Sequence, residues 1–378
     1  MKCSSELTKS ININKHQLCA TYHDLVKSYD LKHTTHALVL DFKKAFDKVP
    51  HELLMLKIKQ IPDIDLQLVD WIQDFLTNRK QRVVLQGEQS SELKVTSGVP
   101  QGSVLGPTLF LIYINDLPSV INCDISLYAD DTLLYQRVNN NDDAKVFQSN
   151  INAIHNWSVQ WKMPFNESKC HVIAFGSQLF LPPYLLGREI LRWANSTKYL
   201  GVIMQSDLKF EQHISKKSDQ ASRVLGSIKH TLHDAPRHGR LLAYTSLCRP
   251  ILEYADSVWD PSQAKTIHSI EMIQNRAVRF ICGIGGRHGV SNAKSELGLE
   301  SLETRRRYHR VSLLLKVLQD EDKHLALSSS YEEIMNDRSR MTLTTRAAKR
   351  GEPTSVSSSS KLFFNSFLPR TIRDLRGD

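Results

Sequence analysis

The chain has 378 residues, of which 41% are hydrophobic and 24% charged, with a formal net charge of +9. This composition is typical of two or three globular domains and argues against disorder over most of the chain. The sequence predicts no membrane span and no secretory signal, and six scattered cysteines without a C-x-x-C pair favour a reducing intracellular location, nucleus or cytoplasm.

The positive charge is concentrated in the second half of the chain. Residues 205–378 contain 28 Lys and Arg against 20 Asp and Glu, a net of +8, whereas residues 1–204 contain 21 and 20, a net of +1. A basic half is a weak sign of a polyanionic partner such as nucleic acid. A solvated basic surface explains the same numbers equally well.

The first half alternates between strand and helix patterns. Apolar periodicity predicts, in chain order, a strand over 36–42, helices over 51–61 and 66–76, a strand over 81–87, a loop over 94–107, a helix over 108–121, a hairpin over 125–138, a helix over 142–163 and a strand over 169–176. This order predicts an α+β fold through about residue 204.

The second half is predicted to be helical. Helical spacing covers residues 211–233, 239–257, 264–282 and 302–319, with a break expected at Pro250. We expect three regions: 1–204, a helical region over 205–326, and 327–378, which combines a Ser-rich linker with a short amphipathic tail. The tail, residues 361–372, is expected to dock back onto the fold or to bind a partner.

Three aspartates stand at the ends of apolar runs. Asp41 follows ALVL, and Asp130 and Asp131 lie between LY and TLLY. A carboxylate at the edge of an apolar strand is costly unless it is paired or binds a cation. If the two strands are neighbours, a divalent cation such as Mg²⁺ would relieve the repulsion between Asp41 and Asp130. Because adjacent strand residues point to opposite faces, Asp131 is predicted to support the site; solvated turn acids are the alternative.

A glycine- and proline-rich loop precedes the helix predicted over 108–121. Residues 97–107, SGVPQGSVLGP, contain three glycines and two prolines. Exposed backbone N–H groups before a helix suit a phosphate or a closely approaching base pair. A plain turn is the alternative interpretation.

Taken in order, three segments resemble motifs A, B and C of reverse transcriptases, specifically those of non-LTR (LINE, jockey-like) retrotransposons. They are LDFKKAFDKVPHELLMLKI (40–58), SGVPQGSVLGPTLFLIYINDLP (97–118) and LYADDTLLY (127–135). The YADD tetrapeptide and the PQGS-containing loop are the most specific features.

Weaker similarities continue along the chain. NESKCHVIAFG (166–176) is similar to motif D, TKYLGVIM (197–204) to the primer-grip motif E, and RPILEYADSVWDP (249–261) to the region after the polymerase core. The likeness spans about residues 30–320.

The resemblance implies a right-hand polymerase. Its palm, an antiparallel sheet backed by helices, would lie within residues 1–204, and an all-α thumb-like region would follow. The implied activity is RNA-directed DNA synthesis from a primer 3′-hydroxyl, with two Mg²⁺ ions (or Mn²⁺) held by Asp41, Asp130 and Asp131. Implied partners are an RNA template, a DNA primer and deoxynucleoside triphosphates, with no membrane; the oligomeric state is left open.

The resemblance also assigns residues around the nucleotide. The Phe42 backbone would touch metal or triphosphate, Phe46 would exclude a 2′-hydroxyl from beneath the sugar, and Gln101 and Gly102 would line the nucleotide and template pocket. Lys169 would lie near the triphosphate. Core packing is the alternative for Phe46, and a surface strand position is the alternative for Lys169.

Other roles concern the primer and the duplex. Tyr199, Leu200 and Gly201 match the primer grip. Arg305, Arg306 and Arg307 are candidates for phosphate contacts, with a solvated helix face as the alternative. Asp47 is interpreted as a helix N-cap before Pro50.

The sequence departs from the family before motif A. Forty residues precede Asp41 and match none of the fingers motifs, which leads us to expect a truncated element with weak or no polymerase activity. The main alternative is an inactive remnant that only binds nucleic acid through its basic half. A cellular protein that uses a palm-like fold for another nucleotidyl transfer is a minor option.

Overall fold

A computed structural model of the chain describes residues 3–176, 180–286, 289–319, 341–342, 355–356 and 360–376. The chain forms two compact units. We call residues Thr34–Asn195 the sheet unit, and Met1–His33 together with Ser196–Asp378 the helical unit.

Eleven short or medium strands and five helices are described in the sheet unit. The strands are β1 (Thr35–Leu40), β2 (Lys80–Gln81), β3 (Val84–Leu85), β4 (Glu88–Gln89), β5 (Leu93–Lys94), β6 (Asp124–Tyr128), β7 (Asp131–Arg137), β8 (His171–Phe175), β9 (Leu185–Leu186), β10 (Glu189–Ile190) and β11 (Arg192–Ala194). After α1 (Cys3–Asp30) of the helical unit, the helices are α2 (Ala45–Lys48), α3 (His51–Lys59), α4 (Leu66–Leu76), α5 (Leu105–Ile114) and α6 (Asn141–Gln160), with a 3₁₀ turn at Leu117–Val120.

The main sheet has five strands in the order β11-β8-β1-β7-β6. Its pairs are antiparallel except β11 with β8. Strand β1 is central and almost entirely buried, as its continuous apolar sequence predicts. Leu54 of α3, Phe110 of α5 and Ile151 of α6 share one core with it and are fully buried. The mixed helix and sheet fold is therefore confirmed.

The strand predicted over 81–87 is present only as two short pieces, β2 and β3, and not as one continuous strand. The segment instead forms two short exposed hairpin ladders, β2 with β5 and β3 with β4. Val83, Val84 and Leu85 remain 58–70% exposed. The apolar run pairs only with a polar neighbour, so its local pattern does not lead to burial.

The helical unit combines one hairpin with a bundle of helices. The hairpin is β12 (Ser196–Tyr199) with β13 (Val202–Gln205), and a further short pair is β14 (Met341–Thr342) with β15 (Ser355–Val356). The helices after α1 are α7 (Glu211–Thr231), α8 (Arg237–Ala243), α9 (Arg249–Glu253), α10 (Asp256–Trp259), α11 (Ala264–Cys282), α12 (Val290–Glu296), α13 (Leu302–Gln319), α14 (Lys361–Phe364) and α15 (Phe367–Arg376).

The compact units divide the chain at other positions than the predicted regions 1–204 and 205–326. Helix α1 and the hairpin at 196–205 group with the helices that follow. The packing of α1 against α10, α14 and α15 explains this grouping. Sequence order does not reveal it, because those partners lie more than 220 residues further along the chain.

The segment predicted as one helix over 239–257 is interrupted, as expected, near Pro250. A π-helical turn at Tyr244–Cys248 separates α8 from α9, and Pro250 stands in the first turn of α9. Ala255, with φ 53°, then divides α9 from α10. A proline removes one backbone donor and a left-handed residue ends helical geometry, so both breaks have a local cause.

The C-terminal tail docks onto its own unit. Phe363, Phe367, Leu368 and Ile372 are at most 4% exposed, with α14 packed on α1 and α15 on α13. Ser360 caps α14, and its N–H donates to the Asp30 carboxylate at 2.7 Å. Docking of the tail is thus confirmed, whereas most of the predicted Ser-rich linker lies outside the described residues.

A cluster of charged side chains is buried beneath this tail. Asp260, 4% exposed, pairs with Arg306, Arg310 and Arg370, and Asp374 pairs with Arg310. Burial lowers the pKa of Arg310 to about 10, and the neighbouring Arg370 adds to this effect. Because these charged side chains are shielded from water, each depends on its oppositely charged neighbours to offset the free-energy cost of lost hydration.

The prediction that Arg305, Arg306 and Arg307 face a nucleic acid is wrong for Arg306, which is 1% exposed and bonds Asp260 at 2.6 Å. Arg305 pairs with Glu253, and Arg307, about half exposed, pairs with Asp374. A run of three arginines on a helix places adjacent residues about 100° apart, so one of them faces the core.

Two buried histidines make the stability of both units depend on pH. His36 Nδ1 lies 2.8 Å from the Tyr184 hydroxyl, and His213 Nδ1 accepts from the Ile203 N–H at 3.1 Å. Burial lowers the pKa of each imidazole to about 4. The unfolded chain therefore binds protons more readily than the folded chain between about pH 6.5 and 4.

We expect the free energy of unfolding to fall as the pH is lowered through this window, by up to roughly 3 kcal/mol for each histidine. Urea unfolding of the full chain at pH 7.0 and 4.5 measures the loss, and His36→Gln should reduce it. The same substitution at exposed His230 is the matched control. A His36→Gln variant that retains the wild-type pH slope would contradict the assignment.

None of the described helices is long and apolar enough to span a membrane.

Candidate active site

Three predicted carboxylates come to one end of the main sheet through strand register. Strand β1 ends at Leu40, which pairs with Thr132 in β7, so Asp41 follows at the level of Asp131. Strands β6 and β7 form a hairpin in which Tyr128 pairs with Asp131. Asp130 lies in the two-residue turn between them, after Ala129 at φ 50°.

The carboxylates at this end are accessible to solvent. Asp41 is 39% exposed, and Asp130 and Asp131 are also exposed. Lys169 Nζ lies 3.3 Å from Asp41 Oδ2 and is 64% exposed. The structure thus brings Lys169 to Asp41, as an exposed ion pair that can exchange partners at little cost.

The chain around Asp41 is fixed through its backbone. The Asn166 N–H donates to the Asp41 carbonyl at 2.7 Å, and the Lys43 N–H donates to the Pro164 carbonyl at 2.9 Å. The Phe42 ring stacks on Phe165 at 4.6 Å and is 5% exposed. The Phe42 side chain therefore belongs to the core, and only its backbone is available to a ligand.

Phe46 is partly buried against the core. Its ring stacks on Phe110, with 4.5 Å between ring centroids. One face is thus covered by a fully buried ring, and the side chain is held in one orientation.

The glycine-rich loop is bonded to the segment that follows β1. The Gly98 N–H donates to the Val49 carbonyl, and the Val99 N–H to the Phe46 carbonyl, both at 2.8 Å. His51 Nε2 lies 2.8 Å from the Gly98 carbonyl. Gly98 has φ 91°, and a Cβ there would lie 2.8 Å from the Asp47 carbonyl oxygen, so only glycine fits this crossing.

Asp47 orients the predicted nucleotide residue Gln101. The Gln101 side-chain amide donates to Asp47 Oδ1 at 2.8 Å, and the Ser97 hydroxyl donates to the Asp47 carbonyl at 3.0 Å. The interpretation of Asp47 as an N-cap is wrong, because Pro50 takes that position for α3. The pairing between positions 47 and 101 joins distant segments and has no local sequence signal.

Gly102 and the helix start that follows it face solvent. Gly102 has φ 83°, and no atom lies within 4 Å of the position a Cβ would take. Val104, which precedes α5, is 93% exposed. This end of the loop is open to a ligand, and Gln101 beside it is exposed as well.

The predicted primer-grip residues form the β12–β13 turn of the helical unit. Tyr199 and Leu200 are 2% and 6% exposed, so their side chains pack inside the unit. Leu200 and Gly201 have φ 44° and 81°. The Tyr254 hydroxyl donates to the Leu200 carbonyl at 2.8 Å.

The donor set of the carboxylate end fits a hard divalent cation. Asp41 and Asp130 offer oxygen ligands in an exposed setting that leaves room for water and phosphate oxygens, the surroundings that Mg²⁺ requires. Within the described residues, no group of three or more His, Cys, Asp or Glu side chains is arranged to hold a metal by itself. A cation here would need ligands from solvent or substrate.

Comparison with known proteins yields one family. The family described as "Reverse transcriptase (RNA-dependent DNA polymerase)" matches residues 3–204. The probable RNA-directed DNA polymerase from transposon X-element of Drosophila melanogaster is 30% identical over 283 residues, or 71% of this chain. The RNA-directed DNA polymerase from mobile element jockey of the same species is 30% identical over 259 residues, or 65% of this chain.

The chain spans 30% and 28% of the length of these two relatives. Among solved structures, apo telomerase from Candida tropicalis is similar at 12% identity, covering 87% of this chain and 50% of that one, with a TM-score of 0.42.

Proposed function

Because the chain belongs to the reverse transcriptase family, with relatives in non-LTR retrotransposons, we propose that it extends a DNA primer along an RNA template with deoxynucleoside triphosphates. The observation that carries this proposal is the end of the main sheet. There Asp41 follows β1, Asp130 lies in the β6–β7 turn, Asp131 begins β7, and Lys169 pairs with Asp41.

In this proposal the sheet unit acts as the palm of a right-hand polymerase. Its antiparallel strands β1, β6 and β7 share a core with α3, α5 and α6. The helices over 211–319 act as the thumb-like region, and their basic balance suits phosphate contacts. The tail over 361–376 stabilises the helical unit through its buried face.

The carboxylates bind the cations that the reaction needs. Asp41 and Asp130 would hold two Mg²⁺ ions, or Mn²⁺, and Asp131 would support them. When bound, the ions lower the pKa of the primer hydroxyl and neutralise charge on the triphosphate. The protein contributes mainly position and electrostatic compensation, because phosphoryl transfer requires little covalent chemistry from side chains.

Lys169 and Gln101 orient the triphosphate end and the base end of the nucleotide. Lys169 neutralises Asp41 in the free protein, and its exposed ammonium moves to phosphate oxygens when a nucleotide enters. Gln101 is already oriented by Asp47 before a nucleotide binds. A side chain fixed before binding loses less entropy on binding.

Phe46 selects the sugar. Because Phe110 supports one face of its ring, Phe46 cannot swing away from a ribose without leaving the core. A 2′-hydroxyl would therefore meet a fixed ring, whereas a deoxyribose would not. This supports DNA rather than RNA as the product.

Primer extension by the purified full chain tests the proposal. We expect a DNA primer on an RNA template to be extended weakly but measurably with deoxynucleotides in MgCl₂, far more slowly with ribonucleotides, and not at all in EDTA. The products are resolved on a denaturing gel. Duplex binding without extension at any Mg²⁺ or Mn²⁺ concentration would overturn the proposal and favour a protein that only binds nucleic acid.

A further inference from the structure

A tyrosine outside the polymerase motifs contacts the β12–β13 turn twice. The Tyr254 hydroxyl donates to the Leu200 carbonyl at 2.8 Å. Its ring also covers Gly201, because a Cβ at position 201 would lie 3.0 Å from Tyr254 Cε1. One side chain therefore supplies both a hydrogen bond and a steric wall to adjacent residues of the turn.

The turn needs such support because its backbone is unfavourable without it. Leu200 is a γ-branched residue at φ 44°, in the left-handed region that is unfavourable for residues other than glycine. Residues in such conformations persist only where the surroundings hold them. The carbonyl of this strained residue, Leu200, accepts the hydrogen bond from the Tyr254 hydroxyl.

Tyr254 is itself held rigidly. It lies between α9 and α10, its N–H donates to the Pro250 carbonyl at 3.0 Å, and its carbonyl accepts from Trp259 Nε1 at 2.7 Å. Ala255, at φ 53°, turns the chain directly after it. The segment RPILEYADSVWDP, which the motif assignments leave without a role, thus has one in presenting the Tyr254 side chain.

The hairpin has a second anchor on the other strand. His213 of α7 accepts a hydrogen bond from the Ile203 N–H at 3.1 Å and is fully buried. With β13 fixed by His213 and the turn fixed by Tyr254, the hairpin is attached to the helices at two points. Its conformation therefore follows that of the helical unit.

We propose that Tyr254 is a positioning residue that holds the Leu200–Gly201 turn in the conformation that binds the primer strand. The inference rests on the proposed function, in which this turn contacts the primer. Tyr254 acts through the turn and does not touch the reacting atoms.

Tyr254→Phe tests the proposal, because it removes the hydroxyl and keeps the ring. The matched control is Tyr244→Phe in the same unit, where a buried hydroxyl donates to Gln274 Oε1 at 2.9 Å and does not contact the turn. Hydrogen–deuterium exchange of residues 196–205 reports the turn directly. Fluorescence anisotropy with a labelled DNA primer on an RNA template gives the Kd, and steady-state extension gives KM and kcat.

For Tyr254→Phe we expect faster exchange at 199–203 and a three- to tenfold rise in both the Kd and the KM for the primer–template. The KM for deoxynucleotide and kcat should stay within twofold, and Tyr244→Phe should change none of these values. Unchanged exchange would overturn the proposal, since the turn would not depend on Tyr254. Faster exchange with an unchanged Kd would overturn it as well.

Failure of the proposed function can be distinguished from failure of this inference. If the proposed function is wrong, the wild-type chain will not extend the primer. Comparing the exchange rates and Kd values of wild type and Tyr254→Phe would still decide the role of Tyr254.

Discussion

Asp130→Ala should reduce Mg²⁺-dependent primer extension at least about a hundredfold, the loss typical of removing one electrostatic contact to developing charge. The turn between β6 and β7 places Asp130 at the end of the main sheet where Asp41 follows β1. Because the side chain is exposed and outside the core, its removal should leave folding unchanged. Single-nucleotide extension rates at saturating primer–template measure the effect.

Two further variants separate charge from geometry. Asp130→Asn keeps the size of the side chain and should be nearly as defective, because a neutral amide binds a hard cation poorly. Asp124→Ala removes an exposed aspartate from the opposite end of the same hairpin and should retain activity. Extension by Asp130→Ala within twofold of wild type would exclude Asp130 as a metal ligand.

Asp260→Ala should destabilise the helical unit by about 3–5 kcal/mol, the cost of breaking a buried ion pair from one side. Asp260 is the carboxylate that Arg306, Arg310 and Arg370 share. Its removal leaves three largely buried guanidinium groups, of which Arg310 keeps an ion pair with Asp374. Chemical denaturation of the full chain, monitored by tryptophan fluorescence and circular dichroism, measures the loss.

Asp219→Ala, at an exposed aspartate of α7, is the control for losing one negative charge and should change stability by no more than about 0.5 kcal/mol. Asp260→Asn keeps the hydrogen-bond acceptor and should fall between the two. If Asp260→Ala cost less than about 1 kcal/mol, water would have to reach these arginines, in disagreement with their burial. Weaker docking of the C-terminal tail should accompany the loss, because Arg370 belongs to it.

The helices over 264–282 and 302–319 and the hairpin around residues 129–130 were predictable, since periodicity and turn residues are local properties. The resemblance to reverse transcriptases also depends on short contiguous motifs, and the family match supports it. The prediction that Asp41 and Asp130 share a site rests on the assumption that two apolar strands are neighbours, and the β1–β7 register confirms that the strands are adjacent.

Long-range pairing decided what the sequence left open. The apolar residues of β1 are buried because this strand lies between two others. Val84 belongs to a similar apolar run but is exposed, because it pairs only with a polar neighbour. Burial depends on what packs against a segment, and that partner can lie hundreds of residues away.

The amino-acid sequence by itself determined the motifs, the family and most of the elements around the carboxylates, because these depend on residue type and spacing along the chain. The tertiary structure alone decided the bond of Asp47 to Gln101, the burial of Arg306 with Asp260 and the contact of Tyr254 with Leu200. The partners in these contacts are separated by 46 to 54 positions. Polar contacts over such distances depend on how hydrophobic packing positions the backbone, so no local pattern encodes them.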